Sequence, residues 1–226
     1  MENSEGSIAL VTGASRGLGY AVAAELAAAG AHVVAVARTV GGLEELADAV
    51  EAQNGAITLV PLDITDDGGV QRMCAALFER WGRVDVWVHA AIQDAPLSPA
   101  SAISPKDIEK ALATNVAATV RLIRMVAPLL QMSDSGTAVY FEDDKAGHSF
   151  YGAYGATKAA QSALFKSWQT ETQRIAPNVI GFAPQPMPTA LRARFYPGEG
   201  REGLSHPEAE AKRLLQAANL LQKPEV

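Results

Sequence analysis

The sequence predicts a doubly wound α/β fold, in which a parallel sheet of about six strands carries helices on both faces. The first observation is a regular alternation of short apolar runs, rich in β-branched residues, with longer amphipathic segments. The second is that 48% of the 226 residues are apolar, enough for one substantial core. The third is that no Gly/Ser/Pro-rich linker divides the chain. Residues 1–226 are therefore predicted to form a single domain.

Six short apolar runs are predicted to be the buried strands, because each is bounded by turn residues and is too short for a helix. In chain order they cover residues 8–12, 32–37, 57–62, 84–89, 137–141 and 179–182.

The segments between these runs have the length of helices. Segments 17–29, 43–53 and 67–81 stop at or near Gly30, Gly55 and Gly82, and a glycine suits the left-handed residue that follows a helix. A last helix is predicted over 208–221, and a seventh strand is not expected after it. Strands joined by such helices must run parallel, with right-handed crossovers.

Charge and hydropathy exclude several classes of partner. The formal net charge is −6 and no basic run occurs, which argues against a nucleic-acid partner. The longest apolar stretch, 111–130, contains Asn115, Arg121, Arg124 and Pro128, which a membrane span would tolerate poorly. The N-terminus lacks the pattern of a secretory signal, so a cytoplasmic protein is expected. The four histidines are too scattered to predict a metal site.

A glycine-rich turn joins the first predicted strand to the first predicted helix. Residues 12–19 are T-G-A-S-R-G-L-G. Glycines at such a junction let the backbone turn sharply and let a pyrophosphate approach the first N–H groups of the helix. The turn therefore predicts dinucleotide binding, with a purely structural turn as the alternative.

Four motifs together resemble the short-chain dehydrogenase/reductase superfamily over nearly the whole chain. They are the glycine-rich turn, Asp63-Ile64-Thr65 after the third strand, Asn115, and Tyr154-x-x-x-Lys158. The resemblance implies a Rossmann-type sheet, a nicotinamide cofactor, and hydride transfer to or from a carbonyl or alcohol carbon.

The resemblance also implies which residues contact the cofactor. Asp63 would lie beside the adenine, Lys158 would hold the nicotinamide ribose, and 184–189 (PQPMPT) is similar to the family's P-G-x-x-x-T segment, with Gln185 in place of glycine. The full predicted set is Gly13, Ser15, Arg16, Gly17, Leu18, Gly19, Arg38, Asp63, Ile64, Ala90, Ala91, Lys158, Pro184 and Thr189.

Two arginines favour NADP over NAD. In NAD-binding folds an acidic residue at the end of the second strand takes the ribose hydroxyls, whereas an arginine accommodates a 2′-phosphate. Here Arg38 ends that strand and Arg16 lies in the glycine-rich turn. Either arginine alone could equally be a solvated surface charge.

Tyr154 and Lys158 are the predicted proton-transfer pair. A phenol titrates near 10, so it needs a neighbour that stabilises its anion, and positions four apart share a helix face. The ammonium of Lys158 is therefore expected beside the phenol. By resemblance, Asn115 would help to hold a water through which the proton is relayed.

The chain departs from the family pattern in two places. Where the family has N-N-A-G, this chain has His89-Ala90-Ala91-Ile92, with a bulky residue close to the expected cofactor path. The serine that usually precedes the tyrosine is also missing. Counting from the strand places that position at Asp143, and counting back from Tyr154 places it at Phe141 or Glu142. Ser149, five residues before Tyr154, is an alternative.

Asp143 is predicted to be a catalytic residue in place of the serine. An ionised carboxylate cannot donate a hydrogen bond to a substrate oxygen, but apolar neighbours can keep a carboxylic acid protonated. Phe141 and Phe150 are close in sequence, so a protonated Asp143 could act as the donor. The alternative is that the acids at 142–144 point into solvent.

Two functional classes follow. One is an NADP-dependent oxidoreductase acting on a small carbonyl or alcohol substrate, and the other is a cofactor-binding protein that has lost turnover. Phe195 and Tyr196 are expected to line the substrate site, whose substrate the sequence does not identify. The apolar helices around Asn115 and Tyr154 predict a homodimer.

Overall fold

A parallel sheet forms the centre of the protein. A computed structural model describes residues 6–220, and these residues form a six-stranded sheet in the order β3-β2-β1-β4-β5-β6. Neighbouring strands are parallel, and at the centre Leu10 lies opposite Val34 on one side and Trp87 on the other. The strands are β1 (Ile8–Thr12), β2 (His32–Ala37), β3 (Ala56–Pro61), β4 (Val86–His89), β5 (Thr137–Phe141) and β6 (Asn178–Phe182).

Eight α-helices are assigned in the described residues. They are α1 (Gly17–Ala28), α2 (Val40–Glu51), α3 (Asp67–Trp81), α4 (Pro105–Ala111), α5 (Ala118–Gln131), α6 (Gly152–Glu171), α7 (Ala190–Phe195) and α8 (Pro207–Ala217). The predicted doubly wound fold is confirmed, since the helices cover both faces of the parallel sheet.

Each face of the sheet has its own apolar core. On one face, helices α1, α2 and α8 bury residues such as Leu26, Leu46 and Leu214 against the strands. On the other face, α3, α5 and α6 supply residues that include Leu122 and Phe165. Burial of both faces explains why the strands are almost continuously apolar.

Several predicted element boundaries were wrong by one to three residues. Strand β4 begins at Val86 rather than 84, because the amide of Val84 donates to Leu129 O in a helix. Strands β3 and β6 begin one residue earlier than predicted. Helix α2 begins at Val40 rather than 43, with Gly42 so close to the backbone of Ser15 that a side chain there would collide with it.

The predicted role of Gly55 as the left-handed residue after α2 was also wrong. Gly30 and Gly82 have φ of 94° and 73°, as predicted for residues that follow helices. After α2, however, the left-handed residue is Asn54, with φ of 58°, and Asn tolerates this conformation. Gly55 is needed for a different reason, since a side chain there would collide with Val50. Helix α8 ends at Ala217, and Leu221 of the predicted helix lies outside the described residues.

One continuous helical run covers residues 105–131 and contains a π-helical turn. Helix α4 passes through this turn, Leu112–Ala117, directly into α5. The run is long and apolar enough to cross a membrane by length and composition, but 39% of its most apolar stretch is buried inside the protein. Its buried residues pack against the sheet, as in the core helix of a globular domain.

The sheet order places a crevice at the carboxyl ends of the central strands. Strands β1 and β4 are neighbours, but their following segments leave in opposite directions, toward β2 and toward β5. In doubly wound sheets this reversal is where ligands bind. The glycine-rich turn after β1 and the segments after β4 and β5 all meet there.

Candidate active site

A cavity of about 600 Å³ opens at this crevice. Every predicted cofactor-binding residue lines it, as do the three predicted catalytic residues Asp143, Tyr154 and Lys158. Asn115 does not line it, because its side chain is buried behind the cavity wall. The topology thus brings together residues that are up to 176 positions apart, from Gly13 to Thr189.

The glycine-rich turn forms the floor of one end of the cavity. Gly13 has φ of 86°, and a Cβ there would lie 2.5 Å from the amide nitrogen of Ala91. A side chain at Gly19 would collide with Gly13 O. Helix α1 begins at Gly17, and among the described residues no side chain caps its N-terminus. Its first N–H groups therefore suit a phosphate, and the donor set fits a dinucleotide.

Two cations flank this end of the cavity. Arg16 is exposed, and Arg38 Nη1 lies 3.9 Å from Asp63 Oδ2 with about half of its side chain exposed. Asp63 Oδ1 also accepts hydrogen bonds from the amide and hydroxyl of Thr65, which fixes the turn after β3. Both arginines remain close enough to the cavity to line it.

Tyr154 and Asp143 are joined by a hydrogen bond. The Tyr154 hydroxyl donates to Asp143 Oδ2 at 2.7 Å, and Tyr154 is 2% exposed. Burial, followed by the charge and the hydrogen bond of Asp143, raises the pKa of Tyr154 well above its ordinary value. Counting from the strand therefore located the residue that faces the tyrosine. Phe150, however, is 58% exposed and cannot shield Asp143 as expected, because it lies at the tip of an exposed loop.

Lys158 is buried one helical turn beyond Tyr154. It is 6% exposed, and its Nζ donates to Gln161 Oε1 at 2.7 Å, whereas the sequence predicted that the ammonium would face the phenol. The reason is that Gln161, three residues further along α6, presents a buried acceptor on the same helix face. Burial lowers the pKa of Lys158 to about 8, although the nearby charges of Asp143 and Glu142 act in the opposite direction.

Asn115 lies in the π-helical turn and is fully buried. Its Oδ1 accepts from the amide of Gln93 at 2.7 Å, and its Nδ2 donates to Gln93 O and to Thr157 Oγ1, each at 3.0 Å. Asn115 therefore ties the segment after β4 to the helix that carries Tyr154. A π-helical turn of this kind is frequent at functional sites.

Sequence reasoning missed a buried polar cluster behind Lys158. It consists of Gln161 on α6, Thr119 on α5, His89 at the end of β4 and Thr12 at the end of β1, all nearly inaccessible to solvent. Burial, and after it the charge of Lys158, lowers the pKa of His89 to about 3. Only one contact of the cluster has a signal in the sequence, because Gln161 is three residues from Lys158 on the same helix, whereas the other residues come from different elements.

Aromatic residues close the other end of the cavity. Phe195 packs against Tyr154 and Tyr151, with ring centroids 4.8 and 5.1 Å apart. Tyr196 lies beside it, and both Phe195 and Tyr196 line the cavity as expected from the sequence. Ser149 is exposed and does not line it, so the alternative serine lies outside the site.

Helix α8 anchors the segment that resembles the family's nicotinamide loop. Glu210 is 3% exposed, and its Oε2 accepts from the amide of Gln185 at 2.9 Å and from Arg213 Nη2 at 2.6 Å. The same Nη2 donates to Ala183 O at 2.7 Å. Although burial acts to raise it, hydrogen bonds from Arg213, Gln185 and Ser205 hold the pKa of Glu210 below its ordinary value.

The described part of the chain offers no metal site. Within residues 6–220, no three His, Cys, Asp or Glu side chains gather into a group that could hold a metal ion.

Comparison with known proteins gives one consistent result. The family model described as short chain dehydrogenase matches residues 7–200. The fatty acyl-CoA reductase of Acinetobacter baylyi is 31% identical over 173 residues, which are 75% of this chain but only 59% of that protein. The sorbitol dehydrogenase of Cereibacter sphaeroides is 32% identical over 185 residues, 80% of this chain and 70% of that protein. The chain therefore spans less than two thirds of the length of the first of these relatives.

Solved structures of similar fold include cofactor complexes. A Pseudomonas syringae protein described as a short chain dehydrogenase matches with a TM-score of 0.86 and 28% identity, covering 96% of this chain and 89% of that one. A Shigella flexneri protein complexed with NADP matches with a TM-score of 0.83 and 27% identity, covering 95% and 90%. An Escherichia coli protein complexed with NADPH matches with a TM-score of 0.83 and 28% identity, covering 96% and 91%.

Proposed function

Because the chain belongs to the short-chain dehydrogenase/reductase family of oxidoreductases, we propose that it transfers a hydride between NADP and the carbonyl or alcohol carbon of a small substrate. The observation that carries this proposal is the arrangement of Tyr154, Lys158 and Asp143 in the same cavity as the glycine-rich turn. The nicotinamide, when bound, supplies or accepts the hydride. The protein supplies the proton donor and positions the cofactor and the substrate.

Tyr154 is the proposed proton donor to a carbonyl oxygen. Its hydroxyl is buried and is held at 2.7 Å by Asp143. Below pH 8 the neighbouring Lys158 carries its charge, which favours the tyrosine anion left after proton transfer. An ionised Asp143 opposes that anion and cannot donate to the substrate oxygen. A hydroxyl at position 143 would carry no charge against that anion and could donate to the substrate oxygen, so Asp143→Ser is expected to speed up carbonyl reduction.

The hydrogen bond between Tyr154 and Asp143 also favours a second candidate function. A tyrosine whose proton is held by a carboxylate is a poor acid, and losing one preorganised donor typically costs about 10²- to 10³-fold in turnover. The alternative is therefore a protein that binds the cofactor without turnover and acts as a sensor or partner subunit.

One experiment separates the two functions. NADPH oxidation is measured against a panel of aldehydes and ketones from pH 5 to 8 for the wild type, Asp143→Ser and Tyr154→Phe. Asp144→Ser is the matched control, because Asp144 is exposed and does not line the cavity. An enzyme should gain neutral-pH turnover in Asp143→Ser alone and lose turnover in Tyr154→Phe. If NADPH binds but no variant turns over any carbonyl, the binding protein is the correct reading.

NADP is proposed rather than NAD because Arg16 and Arg38 line the cavity beside the glycine-rich turn and no acid ends β2. Two similar structures contain NADP or NADPH. Each arginine can make charge-assisted hydrogen bonds to a 2′-phosphate, so NADPH should bind about tenfold or more tightly than NADH. Calorimetric titration should show this preference lost in Arg38→Asp and kept in Arg72→Asp, an equal charge change on exposed α3. Equal affinities in the wild type would contradict the assignment.

A cytoplasmic homodimer is the proposed assembly. Leu112 and Val120 on the 105–131 helical run are each 46% exposed, and these apolar side chains support the two-fold contact expected near Asn115. Light scattering should give the mass of a dimer, and a stable tetramer would count against this face as the main contact.

A further inference from the structure

A line of buried polar side chains runs from Lys158 into the sheet. Gln161 Oε1 accepts from Lys158 Nζ at 2.7 Å, and its Nε2 lies 3.1 Å from Thr119 Oγ1 and 3.2 Å from His89 Nε2. On the far side of the ring, His89 Nδ1 lies 2.8 Å from Thr12 Oγ1. Gln161 is 2% and His89 is 3% exposed, so these groups must satisfy one another.

The direction of each hydrogen bond follows from the chemistry of the groups. Lys158 has only donors, so the amide oxygen of Gln161 must face it and the NH₂ group must face His89. His89 Nε2 also lies 3.1 Å from Thr119 Oγ1, whose hydroxyl proton is directed to Asn115 O. With the NH₂ group of Gln161 directed at Nε2, we infer that Nε2 accepts and that the proton of the ring is on Nδ1, which points at Thr12. Burial lowers the pKa of His89 to about 3, so this neutral form persists above about pH 4.

We propose that Gln161 and His89 are positioning residues for Lys158: neutral His89 fixes the amide of Gln161, and the amide oxygen holds the lysine in place as an ammonium. If His89 carried a second proton, the Gln161 amide would have to turn and present its NH₂ group to Lys158. The inference deepens the proposed function, since it rests on the role given there to Lys158.

An amide suits this position because it supports the ammonium without neutralising it. A carboxylate at 161 would hold the lysine more strongly, but it would cancel the charge that favours the Tyr154 anion. The charged groups that act on Lys158 are Asp143 and Glu142 after β5, both of which raise its pKa. His89 faces it from β4 in neutral form, and the α5 residue in the cluster, Thr119, is uncharged.

The test measures Lys158 directly. The chain has seven lysines, so their side-chain nitrogens can be followed by NMR, and the Lys158 signal is assigned by its loss in Lys158→Arg. Gln161→Leu should lower the midpoint of the Lys158 titration by about one to two pH units, the equivalent of one hydrogen bond to a charged group. Gln161→Glu should raise it by a similar amount.

Gln169→Leu is the matched control. Gln169 lies on the same helix and donates to Val179 O, away from Lys158, so its loss should leave the titration unchanged. A merely structural role of Gln161 would not produce opposite shifts in Leu and Glu variants. Equal midpoints in all variants, or shifts in the same direction, would overturn the proposal.

The state of His89 is tested separately. In the nitrogen spectrum of the four histidines, His89 should carry its proton on Nδ1 from pH 8 down to pH 5. His89→Phe keeps a ring against Trp87 and Phe165 but frees the amide, so the Lys158 midpoint should fall, by less than in Gln161→Leu. A proton on Nε2, or an unchanged Lys158 in His89→Phe, would remove His89 from the proposal.

These measurements need no turnover, so they distinguish this inference from the proposed function. If the protein turns over carbonyls, the pH at which activity falls on the alkaline side should move down in Gln161→Leu and up in Gln161→Glu. If it does not, the lysine titration still decides whether Gln161 and His89 position Lys158.

Discussion

Replacing Lys158 with Met should change the free energy of unfolding by an amount that depends on pH, with the variant faring better against the wild type at pH 7 than at pH 10. In the folded protein the pKa of Lys158 is about 8, against 10.5 for the free side chain, and burial is the cause. At pH 7 the folded protein therefore keeps Lys158 charged in a buried environment that disfavours the charge. Taking about 1.4 kcal/mol per pH unit, the cost is about 3 kcal/mol at pH 7 and under about 1 kcal/mol at pH 10.

The sign follows from proton binding. Between pH 8 and 10.5 the unfolded chain binds this proton and the folded protein does not, so the free energy of unfolding of the wild type rises with pH. Lys158→Met has no such proton. The substitution also leaves Gln161 Oε1 without a donor, which costs about 1–3 kcal/mol, but this cost does not depend on pH. The difference in unfolding free energy between variant and wild type should therefore shrink by about 2.5 kcal/mol from pH 7 to pH 10.

Urea denaturation at pH 7, 8, 9 and 10 measures this difference. Lys166→Met is the control, since Lys166 lies on the same helix with 60% of its side chain exposed and pairs with Glu142 on the surface. Its difference from the wild type should be nearly constant over this range. If Lys158→Met shows the same constant difference, Lys158 is not a buried ammonium with a lowered pKa, and its proposed role in the site fails.

Three further perturbations test other parts of the structure. Burial lowers the pKa of His89 to about 3, so below pH 6.5 the unfolded chain binds a proton that the folded protein does not. The free energy of unfolding of the wild type should therefore fall by about 3 kcal/mol more than that of His89→Phe between pH 6.5 and pH 4, as measured by urea denaturation at both pH values. Phe165 is fully buried and its ring stacks on Tyr140 at 4.5 Å, so Phe165→Ala should cost about 3–5 kcal/mol in urea at pH 7, and a cost below 1 kcal/mol would mean that this core can collapse. Glu210→Gln weakens the acceptor for the amide of Gln185, so hydrogen exchange of that amide should speed up about tenfold, while the amides of β1 should stay unchanged.

The fold was largely predictable because its signals are local. Strands β1, β2 and β5 and helix α3 begin and end at the predicted residues, since each is a periodic segment with clear boundaries. The start of α2 was not predictable, because Val40 and two glycines are poor helix formers. The helix starts there because Gly42 allows it to pack against the glycine-rich turn, which is a tertiary reason.

In the candidate site, too, local motifs were predictable from the sequence and contacts between separate elements were not. Residues on short motifs with known spacing, such as the glycine-rich turn and the pair Tyr154 and Lys158, were located from sequence. The contacts that orient them were not. Asn115 pairs with the backbone of Gln93 from within a π-helical turn, and no residue type in the sequence predicts such a turn. The cluster behind Lys158 joins residues from four separate elements, and single-sequence patterns do not reveal such contacts.

The anchoring of the 183–185 segment by α8 has a consequence for how the protein is made. The glycine-rich turn at residues 13–19 is among the first parts to leave the ribosome, but Glu210 and Arg213, which hold the opposite wall of the cavity, are among the last of the described residues. Helix α8 also packs on α1 through Leu214 and Leu215. A nascent chain that has not reached residue 213 therefore holds a half-built nucleotide pocket and an uncovered apolar face. Synthesis of α8 therefore supplies at one time both the anchor of this cavity wall and the cover of the apolar face of α1.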